Sequence, residues 1–149
     1  MIALLQRVSA ARVAIAGEVT AEIGHGLLAL IGIERADRES QADRLLERLL
    51  GYRVFADEQG RMNHSVRDIS GGLLLVPQFT LAADSDTGMR PSFSSAASPT
   101  DGERLFTYLA RQASQQFAPV AVGRFGADMQ VSLTNDGPVT FRLQVKSGG

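Results

Sequence analysis

Few side chains in this sequence could carry acid–base or nucleophilic chemistry. Of 149 residues, two are histidines and none is cysteine. His25 stands in a glycine turn and His64 in a polar loop beside Asn63 and Ser65, settings in which a histidine is commonly an ordinary surface group. Without thiols there is no thiolate nucleophile, no cysteine zinc cluster and no disulfide framework. The carboxylates fall in turns or on the polar side of a helical segment, with no matched pair in an apolar setting that would raise one pKa above the other. Signatures of a phosphate-binding loop, a G-x-G-x-x-G fingerprint, a serine-hydrolase elbow and a zinc-protease helix are all missing. No metal and no cofactor are expected. A Ser-His-Asp triad is recognised by geometry and not by order, and nothing in the sequence favours one.

What remains is polar chemistry at the ends of apolar strands. Leu73 to Val76 is followed by Pro77-Gln78-Phe79-Thr80-Leu81, which predicts an amide and a hydroxyl on one strand face where a core strand exits. Strand ends make rigid pockets. The plainer alternative is an edge segment closed by Pro77, with Gln78 and Thr80 bonded to neighbouring backbone. A second feature, Asp136-Gly137-Pro138, sits between two apolar stretches. Asp-Gly signals a hairpin, whereas Pro directly after it removes an amide donor and can hold a cis peptide bond. An ordinary turn is again the plainer alternative.

The elements that position these residues follow from periodicity. Ile2, Leu4, Gln6 and Val8, then Val13 and Ile15, alternate with a period of two, and Ala16-Gly17 turns the chain before Val19, Ala21 and Ile23. An N-terminal antiparallel hairpin is expected. Leu27 to Ile33 reads as a central strand buried on both faces. Between Asp37 and Gly51 the spacing of Ala42, Leu45, Leu46, Leu49 and Leu50 predicts an amphipathic helix that Gly51 stops. Tyr52 to Phe55 is expected to be a strand, Asp57 to Gly60 a turn, and Leu73 to Val76 a second central strand. Ala82 to Pro99 is a long Ser-, Asp- and Gly-rich loop of the length that often carries function. Thr100-Asp101-Gly102-Glu103 matches a capping box, and Phe106, Leu109, Ala110, Ala113 and Phe117 continue a second amphipathic helix that ends at Pro119. Val120 to Phe125, Met129 to Leu133 and Val139 to Val145 complete the strands, the last two joined by a turn from Thr134 to Pro138. The expected fold class is α+β, a curved, mainly antiparallel, barrel-like sheet covered by two helices. One domain over residues 1–146 and a frayed tail at 147–149 are expected.

Composition bounds the function class. Fifteen basic and 16 acidic side chains leave a net charge of −1. That balance argues against a protein that coats DNA or RNA through many phosphates, yet permits a small pocket for one RNA end. No apolar run approaches the ~20 residues of a membrane span and the N-terminus has no signal-peptide pattern, so a cytoplasmic protein without membrane contact is expected.

Gln78-Phe79-Thr80-Leu81 and Asn135-Asp136-Gly137-Pro138-Val139-Thr140 together resemble the two signature motifs of the D-aminoacyl-tRNA deacylases. Gln6-Arg7-Val8, Gly24 to Leu28, Arg90-Pro91-Ser92-Phe93 and Gly123 to Val131 are similar to that family's other blocks, in its order and over nearly the whole chain. One departure is Pro77, where the family usually has Ser; a hydroxyl is lost and the approach to the motif is stiffer. The resemblance implies a homodimer that cleaves the ester between a D-amino acid and the terminal adenosine of tRNA, with glycine mischarged on the alanine tRNA as a second substrate. It implies an active site at the dimer interface, where Gly137 and Pro138 of one subunit, joined by a cis bond, face Gln78, Phe79 and Thr80 of the other and exclude L side chains.

The residue chemistry agrees with that implication. An aminoacyl ester is already activated, so a placed water and one backbone oxyanion donor, worth ~10²- to 10³-fold, can suffice. The resemblance assigns the oxyanion to the Phe79 N–H, with the ribose hydroxyl of the RNA assisting. Thr80 is a rival nucleophile, but no neighbouring base is evident to activate it. Arg7, Arg90 and Arg124 suit phosphates of the acceptor end, or else structural ion pairs. Met129 suits the adenine pocket, or else the core. The competing functions are a general esterase and a non-catalytic RNA-end binding module.

Overall fold

The computed structural model of this chain describes residues 1–147, so most of the tail expected to fray lies outside the described residues. Strand β1 (Ile2–Ile15) turns through Ala16 and Gly17 into β2 (Glu18–Ile23) and β3 (Gly26–Gly32). Both turn residues have positive φ, the backbone that a two-residue primed hairpin turn requires. Because Ala11 pairs with Ile23 and Val8 with Gly26 in unbroken register, β2 and β3 act as one long return strand interrupted at Gly24-His25.

Helix α1 (Glu39–Gly51) and a small hairpin of β4 (Phe55–Ala56) and β5 (Met62–His64) then carry the chain to β6 (Gly72–Pro77), which lies parallel to β3. After a 3₁₀ turn (Phe79–Ala82) and a long loop, α2 (Pro99–Gln116) crosses to β7 (Val120–Val122), parallel to β6. Parallel neighbours need such crossovers, so the two helices account for the two parallel pairs. Finally β8 (Gln130–Gln144) runs antiparallel along the free edge of β1. The sheet order is β2-β1-β3-β6-β7, with β8 beyond β1.

Alternation along β3 and β6 builds two cores on opposite faces of this sheet. Leu27, Ala29, Ile31, Leu73 and Leu75 face α1 and α2, meeting Leu45, Leu46, Leu49, Leu105 and Leu109. Leu28, Leu74 and Val76 face the inside of the curl and meet Val8, Val13 and Ile23. Truncating any of the fully buried leucines to Ala should cost about 2–5 kcal/mol. A Cβ placed on Gly72 would lie 3.0 Å from the Ile23 side chain, so the end of β2 closes against the start of β6 and the sheet is nearly a barrel.

The α+β class, the curled sheet and the two helices follow the sequence, and four local details do not. The sheet is mixed, because β3, β6 and β7 are parallel. The strand expected at Tyr52 to Phe55 is only the two-residue β4, and that expected from Val120 ends at Val122. α2 starts two residues early: Ser98 caps it, its hydroxyl accepting from the Asp101 N–H at 3.2 Å with Pro99 at the first position, in place of the Thr100 box. Pro at that position is already shaped for a helix and lacks only a donor the helix cannot use. The two C-terminal strands are one, β8, with no hairpin at Thr134 to Pro138. From Gln6 to Val8, β1 advances two residues while β8 covers five, from Thr140 to Asn135, so Asp136, Gly137 and Pro138 bulge out of an otherwise continuous strand.

Candidate active site

A cavity of about 450 Å³ opens beyond the carboxyl ends of the parallel strands β3 and β6. Ligand crevices form there in parallel sheets, because strands end together and loops diverge. One wall is Ile31, Ile33, Val76 and Pro77; the start of α2 and Phe106 make another. Phe125, Ala127, Met129 and Val131 close it, and Gln78 and Phe79 stand at the rim. None of the lining side chains is ionisable. Met129 presses its sulfur into the place a side chain on Gly123 would take: a Cβ there would lie 3.0 Å from Met129 Sδ and 3.3 Å from Pro77 Cδ. The absence of a side chain at Gly123 thus brings β7's end, Met129 and Pro77 into one wall.

The amide and hydroxyl of Gln78 and Thr80 do not share a strand face. β6 ends at Pro77, the Gln78 N–H still donates to Ile31 O on β3 at 2.7 Å, and the chain then folds into the 3₁₀ turn. That turn brings Gln78 Nε2 to Thr80 Oγ1 as a hydrogen-bond donor. The first N–H groups of a helical turn have no acceptor inside it, and the Phe79 N–H makes no hydrogen bond among the described residues. Phe79 is 59% exposed, and its ring stacks at a tilt on Phe93, 5.3 Å between centroids.

The bulged loop forms a second, separate group. Asn135 clips its neck: Oδ1 accepts from the Val139 N–H at 2.7 Å, and Nδ2 donates to Thr140 Oγ1 at 3.0 Å. Arg7, its side chain only 14% exposed, donates through Nε to Asp136 O at 2.8 Å and through Nη1 to Val54 O at 2.7 Å. The Gly137–Pro138 peptide bond is cis, as is Ala118–Pro119. Gly137 has φ +146, and a Cβ there would meet Val139 Cγ2 at 2.7 Å and Val139 N at 2.8 Å. Only glycine fits that backbone without displacement. Asn135, visible in the sequence only as part of the Asn135-to-Thr140 motif, and Val54, which nothing in the sequence marks, are therefore among the partners that fix the loop.

Gln78, Phe79 and Met129 thus line the cavity and Thr80 joins them through Gln78. Arg7 belongs with Gly137 and Pro138, which do not line that cavity. Arg90 is exposed in an excursion closed by backbone bonds between Asp84 and Ser92 at 2.7 and 2.9 Å, and Arg124 is exposed at the start of the turn after β7; neither lines the cavity.

Shifted titrations lie elsewhere. Glu34 titrates below the usual carboxylate range: burial would raise it, but hydrogen bonds from the Met1 amine and Gln144 prevail. Arg104 lowers Glu39, backbone and side-chain donors lower Asp57 and Asp68, and Asp43 raises the Tyr108 phenol. No helix is long and apolar enough to cross a membrane, among the described residues.

The chain is similar to known proteins over nearly its full length. A family model described as D-Tyr-tRNA(Tyr) deacylase matches residues 4–144. A protein of Pseudomonas putida named D-aminoacyl-tRNA deacylase is 64% identical over 142 residues, 95% of this chain and 98% of the relative. One of Nitrosococcus oceani with the same name is 63% identical over 145 residues, 97% of this chain and 94% of the relative. Among solved structures, one described as "c-Myc DNA Unwinding Element Binding Protein" superposes with TM-score 0.94 at 35% identity, covering 99% of this chain and 100% of that one. A probable eukaryotic D-amino acid tRNA deacylase shares the fold, with TM-score 0.75 at 15% identity over 95% of this chain and 98% of that one.

Proposed function

The chain belongs to the D-Tyr-tRNA(Tyr) deacylase family, and we propose that it cleaves the ester joining a D-amino acid to the terminal adenosine of tRNA, releasing the free D-amino acid and reusable tRNA. It is a hydrolase, and its relatives at 64% and 63% identity carry the name of that activity. The observation that carries the mechanism is a cavity lined, among the described residues, by no ionisable side chain and bordered by a backbone N–H that has no acceptor among them. Water adds to the ester carbonyl, the resulting oxyanion is held by the Phe79 N–H, and the 3′ oxygen of the ribose leaves with a proton. The neighbouring 2′ hydroxyl of the RNA assists the proton transfers. Thr80 supports this arrangement and does not attack: Gln78 donates to its oxygen, and a donor cannot take the proton that a nucleophile must lose.

Gly137 and Pro138 supply the chiral filter from the other subunit of a symmetric dimer. In one chain the loop and the cavity are separate, so each is half of a site that a two-fold axis would complete twice. Neither Gly137 nor Pro138 has a charge to contribute. The loop offers backbone carbonyls, held in place by Asn135 and Arg7, that hold the substrate's α-amino group and leave no room where an L side chain would project. Selection by exclusion must admit glycine, so glycyl-tRNA(Ala) is a substrate. A rigid backbone can reject the L side chain by more than the ~1–3 kcal/mol that one methylene gives.

A second reading, a nucleic-acid binding module without turnover, is favoured only by the description of the 35%-identical structure. Side-by-side incubation with D-aminoacyl-, L-aminoacyl- and glycyl-tRNA(Ala) separates these readings. Loss of the D and glycyl esters alone is expected; retention of all three without hydrolysis would leave the binding module, and cleavage of simple activated esters as fast as tRNA esters would leave a general esterase.

A further inference from the structure

A second space adjoins the cavity. A groove of about 700 Å³ runs along α2 and shares Pro99, Phe125 and Gly126 with the cavity lining. One side is a single helical stripe, since Thr100, Arg104, Thr107, Tyr108 and Arg111 recur at three- and four-residue spacings. From Thr100 to Arg111 the helix rises about 16 Å, the stacked length of four or five nucleotides at roughly 3.4 Å each.

The groups along this stripe differ in what they have left to offer. Arg104 is engaged by Glu39 and Asp101, and the Tyr108 hydroxyl donates to Asp43 at 2.7 Å. Arg111, exposed at the far end, makes no ion pair and no side-chain hydrogen bond among the described residues. The hydroxyls of Thr100 and Thr107 are likewise exposed and unengaged there. Glu39 and Glu103 leave the groove without net positive charge, which suits a path with one or two phosphate contacts and not a general polyanion surface.

We propose that the single-stranded end of the substrate RNA leaves the cavity between Pro99 and Phe125 and follows the α2 groove, with Arg111 binding a backbone phosphate and Thr100 and Thr107 bonding sugar or phosphate oxygens. This rests on the deacylase reading, which places the terminal nucleoside in the cavity and so obliges the preceding nucleotides to exit by one of its openings. The competing exit passes the exposed Phe79–Phe93 pair and Arg90.

Two substrates test the route: D-aminoacyl-tRNA, and a D-aminoacyl ester of adenosine, which has no phosphate. Arg111→Ala should lower kcat/KM on the tRNA about 5- to 10-fold and leave the adenosine ester unchanged. It should also reduce the salt slope of the tRNA reaction by about 0.7, the value of one single-strand phosphate contact. Arg111→Lys should recover much of the loss. In a binding arm, deacylated tRNA should bind Arg111→Ala more weakly than the unsubstituted protein at low salt. Unchanged tRNA kinetics and affinity, or equal loss on both esters, would overturn the route, and loss with Arg90→Ala or Phe93→Ala alone would assign it to the other opening. Should the unsubstituted protein hydrolyse neither ester, the deacylase reading falls, while the binding arm still decides the groove.

Discussion

The cavity beyond β6 and the loop from Asn135 to Val139 are built by opposite means. The cavity is bounded by apolar side chains of strands and helix that also belong to or border the two cores, so its shape is a by-product of folding. Of the loop only Val139 enters a core; Asp136, Gly137 and Pro138 are exposed, and its course is set by Asn135, by Arg7 and by a backbone angle that favours glycine. Packing tolerates graded change, because neighbours relax around it. A loop held by a few directed bonds has no such reserve. Substitutions in the loop should therefore abolish activity while sparing the fold, and those at the cavity should trade activity gradually.

Gly137→Ala is the sharpest test of that contrast. The new methyl group must displace Val139 or the loop, and deacylation should fall by about 100-fold, roughly 2.7 kcal/mol, with the thermal midpoint moved by only a few degrees. Equal loss of stability and activity would erase the distinction between the two regions. Arg7→Ala should come next. It removes two bonds from a charged donor, each worth about 1.5–3 kcal/mol, so both activity, by about 10-fold, and stability should suffer. Lysine should restore less than half, since it lacks the fork that spans Asp136 O and Val54 O.

The two regions were also unequally legible in the sequence. Leu27 to Ile33, Leu73 to Val76 and both helices were readable because burial on both faces and a 3.6-residue period are local patterns. The cavity's rim followed, because Pro77 and the polar residues after a buried run mark a strand exit. The loop was visible as residues but not as a shape. Whether Asp136-Gly137-Pro138 closes a hairpin or bulges from one strand depends on the register of β8 against β1, more than a hundred residues away, and on the reach of Arg7. The turn at Phe79 was missed for a related reason: β7 ends level with Leu75, leaving nothing beside Gln78 to continue the ladder on that side. Parallel pairing of β3, β6 and β7 was implicit in the strand–helix–strand order, outweighed by the strong hairpin signal of the first 23 residues.

Thr80→Ala lies on the cavity side and should show the graded response, retaining activity within about 10-fold. A fall to the uncatalysed rate, or a trapped acyl-Thr80, would turn the support into a nucleophile. The smallest effect belongs to Glu34, outside both regions. Its carboxyl is held below the usual range in the fold, so the stability it contributes is complete above about pH 4.5 and is lost as the pH falls through its folded-state pKa. Thermal midpoints measured against pH should show this acid arm flattened by a few degrees in Glu34→Gln, with the preference for D over L esters unaltered.

The central claim is that a cavity from one chain and a loop from another make one active site, and complementation measures it directly. Gly137→Ala spoils the loop and leaves the cavity; Met129→Trp fills the cavity and leaves the loop. Each variant alone should be nearly inactive. Unfolded together and refolded as a mixture, they should form hybrids with one intact site each, giving about a quarter of the activity of the unsubstituted protein, as random pairing of a symmetric dimer requires. No recovery in a mixture shown by mass to contain hybrid dimers, or full activity from a monomer, would contradict the shared site.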